Sequence, residues 1–151
     1  PFSTRPSMVL WDLPPYTNAV ITVSITRTSG DVSCGACVLG SYEYIGDAQY
    51  NAQDDTINFS RIERNFAGGS LLLPRRNVPK TNQTLQVAKS RVNRIRTLRD
   101  GLNARPAIWS GLDDDTHGYF EALFILGYYR RFSINLDHPE KAVINLELEE
   151  I

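Results

Sequence analysis

Residues 119–151 read YFEALFILGYYRRFSINLDHPEKAVINLELEEI, and this stretch decides the fold. Apolar and polar residues alternate over residues 132–136 and again over residues 144–148, a period of two that is typical of strands with one buried face. Residues 137–140 contain a proline and separate the two segments as a turn. The aromatic run at residues 119–129 predicts a further strand before them. Three consecutive strands joined by short turns predict an antiparallel meander.

Further strands are predicted upstream of this meander. Residues 19–28 alternate Ala19, Ile21, Val23 and Ile25 with threonine and serine, and the sequence Ser-Gly-Asp then ends the strand. Shorter strands are predicted at residues 37–45, 57–62 and 70–73, the last two separated by a Gly-Gly pair.

One amphipathic helix is predicted at about residues 83–102. Thr81 or Asn82 would cap its first turn, and the pair Arg105-Pro106 prevents its continuation. Its apolar residues recur at steps of three and four and would form the stripe that packs on the sheet. The stripe consists of Leu85, Ala88, Val92, Ile95, Leu98 and Leu102.

These elements predict an α+β fold that is mainly β: an antiparallel β-sandwich or barrel with one packed amphipathic helix. A chain of 151 residues has room for one domain, which we place at residues 19–151. Residues 1–18 contain four prolines and little periodicity, and they predict an extended N-terminal arm.

The composition is that of an ordinary globular protein, with 42% hydrophobic and 22% charged residues. The longest apolar run falls far short of the roughly 20 residues that a membrane span needs. Residues 1–16 lack the charged and apolar regions of a signal peptide. We therefore expect a soluble protein that is made in the cytoplasm and has no membrane partner.

The net charge of −1 conceals a strong segregation of charge. Residues 61–105 carry eleven basic and two acidic side chains, whereas the rest of the chain has five basic and fifteen acidic ones. The partner of the basic segment is nucleic acid, the acidic part of another copy, or only solvent. The interface candidates are Arg91, Arg94, Arg96 and Arg99 of the helix and Glu147 and Glu149 of the last strand.

Motifs that carry chemistry are weak in this sequence. Cys34 and Cys37 form a C-x-x-C pair, but a redox site of this kind needs a helix at the first cysteine, and the residues that follow look like a strand. A zinc site needs four ligands, and the other candidates, His117 and His138, are isolated and distant in the sequence. Residues 113–115 are three aspartates without the spacing of a calcium loop. We expect no enzyme, no cofactor and no metal. Nucleic acid is not expected as a partner either, because no known binding motif accompanies the arginines.

The C-terminal half resembles a known family. Residues 98–151, LRDGLNARPAIWSGLDDDTHGYFEALFILGYYRRFSINLDHPEKAVINLELEEI, resemble the C-terminal half of small tailed-bacteriophage tail proteins, and GDAQYNAQDDTINFSRIERNF at residues 46–66 is similar to the segment before it. The resemblance implies a structural component of the virion tail, such as a distal-tail, baseplate or hub-type ring protein. It brings no catalytic residues with it.

The expected function is therefore a structural one, in which the protein forms a ring with itself and contacts neighbouring tail or baseplate proteins. A carbohydrate-binding β-sandwich module used in host recognition is the alternative. In that case exposed aromatic side chains would stack on sugar rings, and the candidates are Trp11, Trp109, Tyr128 and Tyr129.

Overall fold

A computed structural model describes residues 7–151. The chain divides into two compact units. The first unit ends at Tyr42 and the second is Glu43–Ile151. The predicted division into an arm at residues 1–18 and one domain at residues 19–151 stays a prediction. Residues 1–6 of the predicted arm lie outside the described residues.

The second unit contains all of the strands and the helix that the described residues form. The strands are β1 (Asp47–Ala48), β2 (Gln53–Asn58), β3 (Arg61–Arg64), β4 (Ser70–Leu73), β5 (Asn77–Ala88), β6 (Ala107–Ser110), β7 (Phe124–Asn135) and β8 (Lys141–Glu150). The helix α1 (Val92–Gly101) follows a 3₁₀ turn at Lys89–Arg91, and a second 3₁₀ turn lies at Glu121–Leu123.

Six of the strands form one curled antiparallel sheet in the order β1-β5-β8-β7-β6, with β2 paired to β5 on the same side as β1. Strands β3 and β4 form a separate two-stranded hairpin. The predicted fold class is confirmed: the protein is mainly β and antiparallel, with a barrel-like curl and one helix.

The core lies on one face of the sheet because buried residues recur at every second position. Leu85 of β5 is paired with Ile144 of β8, which is in turn paired with Ile134 of β7. Ile95 of α1 packs into the same cluster and is only 1% exposed. Burying a side chain of this size contributes ~1.5–3 kcal/mol to folding, so the helix is held to the sheet mainly by its apolar stripe.

Three aromatic rings pack together on the sheet, and one of them is hydrogen-bonded to the end of the helix. Trp109, Tyr129 and Phe132 meet edge to face, with ring centroids 5.7 to 6.5 Å apart. The Trp109 Nε1 donates to the carbonyl of Gly127 at 3.1 Å, and the Tyr129 hydroxyl donates to the carbonyl of Arg99 at 3.0 Å. The last turn of α1 therefore has one carbonyl satisfied by a strand residue.

The predicted helix at residues 83–102 is wrong in its first half, because residues 77–88 form strand β5. Thr81 and Asn82 are strand residues and cap nothing. The alternation of Gln83, Leu85 and Val87 gives a strand with one buried face, and β5 pairs on both of its edges. These long-range hydrogen bonds override the helical spacing that Leu85 and Ala88 share with α1.

The strands predicted at residues 19–28 and 37–45 are absent, since the described residues before Asp47 form neither helix nor strand. The alternation is present, but it pairs with no strand among residues 7–151. The predicted segments 119–129 and 132–136 are mostly one strand, β7, whose register shifts between Tyr129 and Arg131. That bulge is why the alternation breaks there. The predicted strand 70–73 is confirmed as β4, whereas 57–62 is split between β2 and β3.

Candidate assembly surfaces

The start of α1 is held by a carboxylate from the beginning of the second unit. Arg94 Nη2 lies 2.6 Å from Glu43 Oε2, and Arg91 Nη2 lies 3.2 Å from Glu43 Oε1. Arg91 also stands over the ring of Tyr44, 5.0 Å from its centroid. The hydrogen bond from Arg94, supported by Arg91, holds the pKa of Glu43 below its ordinary value. Two of the predicted interface arginines thus have a partner in their own chain.

The other two arginines, Arg96 and Arg99, differ in whether they form an ion pair. Arg99 Nη2 contacts its neighbour Asp100 at 2.9 Å. Arg96 is exposed and forms no ion pair with any of residues 7–151. Arg96 is therefore the candidate on α1 whose charge is left for an acidic neighbour, while Arg94 keeps most of its side chain in solvent.

The two predicted acidic candidates lie on the face of the sheet opposite the core. Glu147 is 3.8 Å from Lys80 Nζ and remains partly exposed. Glu149 is only 9% exposed, and its Oε2 lies 3.2 Å from Arg130 Nε at an angle that makes no hydrogen bond. The structure does not bring these glutamates to the arginines of α1, because the helix packs on the other face. Basic and acidic candidates thus occupy two different surfaces of the second unit.

The β3–β4 hairpin was not singled out as a surface by sequence reasoning, and it exposes apolar side chains on both faces. Ile62 and Leu72 are paired on one face and are each 65% exposed. Leu71 and Leu73 lie on the other face and are also exposed. Phe66 at the tip is fully exposed, beside a turn in which Gly68 has a φ of 83°. The signal for this surface was present in the sequence as the run Ser-Leu-Leu-Leu.

The first unit exposes apolar side chains along most of its described length. Half of the exposed large apolar residues in the described chain belong to it, although it is much the smaller unit. They are Met8, Leu10, Leu13, Tyr16, Val20, Ile21, Val23, Ile25, Val32, Val38, Leu39 and Tyr42. Trp11 packs edge to face on Tyr42, with centroids 5.8 Å apart.

The cysteines, the histidines and the aspartate turn form no common site. Cys34 and Cys37 are exposed free thiols, and no group of three or more possible metal ligands occurs in residues 7–151. His138 Nδ1 accepts from the backbone amides of Glu140 and Lys141. Asp114 accepts from the hydroxyl and amide of Thr116, which lowers its pKa and closes a local turn.

Two of the four aromatic residues considered for sugar stacking belong to the core. Trp109 is buried, and Tyr129 is half-buried against it. Trp109 is too deeply buried for a sugar to stack on it, and Tyr129 is partly covered by Trp109 and Phe132. Tyr128 is half-buried on the opposite face of the sheet, where it is paired with Glu149.

Comparison with known proteins leaves the family of the chain open. No protein-family model matches it, and no curated protein matches it significantly. Within residues 7–151, none of the helices has the length and apolar character needed to cross a membrane.

Proposed function

We propose that this protein is a structural subunit of a bacteriophage tail that forms a ring with other copies of itself and contacts neighbouring tail or baseplate proteins. The observation that supports this most is the exposed apolar surface of the first unit and of the β3–β4 hairpin. Large exposed apolar patches on a small protein are typical of protein–protein interfaces. The resemblance of residues 46–151 to tailed-bacteriophage tail proteins supports placing the protein in the virion.

The distribution of charge supports a head-to-tail arrangement. A ring of identical subunits needs two different and complementary patches on each copy. Arg96 and the exposed Arg94 lie on the helix side of the sheet, and Glu147 lies on the opposite side. Arg96 of one copy would therefore meet Glu147 of a neighbour through two different faces of the subunit, as a head-to-tail contact requires.

The test is the assembly state of the full chain. Sedimentation velocity at low salt should give species larger than the 17.0 kDa monomer, and negative-stain images should show closed rings. Antibodies raised against the protein should label one position on the tail of the virion that encodes it. A chain that stays monomeric at every concentration, alone and with tail proteins of the same virus, would refute the proposal.

A further inference from the structure

We propose that residues 19–25 of one copy, the donor segment, add as a β-strand to the free edge of β4 in the next copy. This inference rests on the proposed function and deepens it by naming the contact between copies. Both segments leave backbone groups without a strand partner among the described residues of their own copy.

The donor segment has the sequence of a strand and lacks the pairing of one. Ala19, Ile21, Val23 and Ile25 alternate with Val20, Thr22 and Ser24, so one face is uniformly apolar. The structure nevertheless leaves these residues outside any sheet, with Ile21, Val23 and Ile25 about half exposed. Pairing with a strand would satisfy their backbone groups and bury the apolar face.

The β3–β4 hairpin lacks a third strand among the described residues. A two-stranded hairpin on its own is marginally stable, and a third strand with a shared apolar face is what usually stabilises one. In the described chain, β3 and β4 pair only with each other. Ile62 and Leu72 form an exposed apolar pair on one face, and a third strand beside β4 would extend that pair into a row of three.

The distribution of charges favours β4 over the other free edges. Charged side chains protect an edge strand from pairing, and β3 carries Arg61, Glu63 and Arg64, whereas β2 carries Asp54 and Asp55. Strand β6 lacks charge, but Pro106 stands immediately before its first residue and its Trp109 is buried in the core. Strand β4 has no charged residue and exposes all three of its leucines.

Such a contact generates a ring without any further element. The donor segment and the hairpin are different parts of one chain, so each copy gives a strand to one neighbour and receives a strand from the other. This is a heterologous contact, which closes into a ring when the rotation between copies permits it.

The test is a disulfide between two differently tagged copies. Both carry Cys34→Ser and Cys37→Ser; one adds Val23→Cys, and the other adds Leu72→Cys. Directly facing residues of antiparallel strands have their Cβ atoms about 4.5–5.5 Å apart, and a small movement brings them to the roughly 3.5–4.5 Å of a disulfide. Because the register is free to vary by two residues, Ile21→Cys and Ile25→Cys are tested in parallel. After mixing and mild oxidation, a non-reducing gel should show a mixed dimer with at least one of the three.

Two cysteine controls make the result specific. Leu136→Cys is about as exposed as the donor residues but lies in the β7–β8 turn, and Ile108→Cys lies on the β6 edge. A mixed dimer with Leu72→Cys and with neither control supports the inference. Equal cross-linking with Leu136→Cys, preferential cross-linking with Ile108→Cys, or no mixed dimer at all overturns it.

A second measurement separates this inference from the proposed function. Leu72→Asp should weaken self-association by at least about tenfold in sedimentation experiments, whereas Leu136→Asp should leave it near wild type. Circular dichroism should be unchanged in both, because both side chains are exposed. Rings that persist in Leu72→Asp refute the donor contact and leave the tail-ring function standing. A wild-type chain that never assembles refutes both.

Discussion

At the scale of single residues, the packing of β7 against β8 depends on Gly127. A Cβ at this position would lie 2.0 Å from the carbonyl oxygen of Glu149, too close for any side chain without backbone movement. We expect Gly127→Ala to lower the free energy of unfolding by roughly 1–3 kcal/mol, as overpacking does in a close-packed interior. Urea titrations should detect this loss. The matched control is Gly118→Ala, where a Cβ would meet nothing within 4 Å, and a Gly127→Ala protein as stable as that control would contradict the prediction.

The contact of Glu43 with Arg94 and Arg91 makes stability depend on pH. The pKa of Glu43 is lower in the folded protein than its ordinary value of 4.5, chiefly because of the Arg94 hydrogen bond. A carboxylate with a lowered pKa stabilises the fold above its unfolded pKa, and this contribution is lost as the pH falls through the folded pKa. We therefore expect Glu43→Gln to be less stable than wild type at pH 7 and the difference to shrink under acid conditions. Urea titrations across that range should show it, with Glu140→Gln in the exposed β7–β8 turn as the control; a difference independent of pH would contradict the argument.

At the scale of elements, the sequence predicts those parts whose signal is local. Strand β4, the turn before β8 and the apolar stripe from Val92 to Leu102 are all visible over a few residues. Strand β5 cannot be recognised in this way, because its sequence fits two patterns equally well. Residues 85 and 88 fit the apolar stripe of a helix, and residues 81, 83, 85 and 87 fit the buried face of a strand. Its partner β8 lies some sixty residues downstream, and no local pattern encodes that pairing.

The helix itself is held by Ile95, which is buried in the core cluster between α1 and the sheet. Ile95→Ala should lower the free energy of unfolding by roughly 2–5 kcal/mol, the usual cost of a cavity left by a large aliphatic side chain. Thermal or urea unfolding followed by circular dichroism measures this. Asn93→Ala, on the exposed side of the same helix, should stay within about 0.5 kcal/mol of wild type. Similar losses in the two variants would show that α1 does not pack as described.

At the scale of the whole molecule, the sequence identifies the surface arginines but not which of them are free. Charge counts mark Arg91, Arg94, Arg96 and Arg99 alike, whereas the structure pairs three of them within the chain through Glu43 and Asp100. Those pairings join residues up to about fifty positions apart. The apolar hairpin was overlooked for a related reason: Leu71, Leu72 and Leu73 look like core residues until the fold shows that nothing in the described chain covers them.

Arg96 therefore gives the sharpest test of assembly through charge. In a ring it would face an acidic surface of the neighbour, so Arg96→Glu replaces attraction with repulsion and should weaken self-association several-fold at low salt, while Arg96→Gln should have an intermediate effect. The Debye length falls from about 10 Å at 0.1 M to about 3 Å at 1 M salt, so the three proteins should converge in sedimentation experiments as salt is raised. Unchanged circular dichroism is expected in both variants, since the side chain is exposed and unpaired within residues 7–151. If Arg96→Glu assembles as wild type does at low salt, the ring is held by its apolar contacts and the charge segregation serves another purpose.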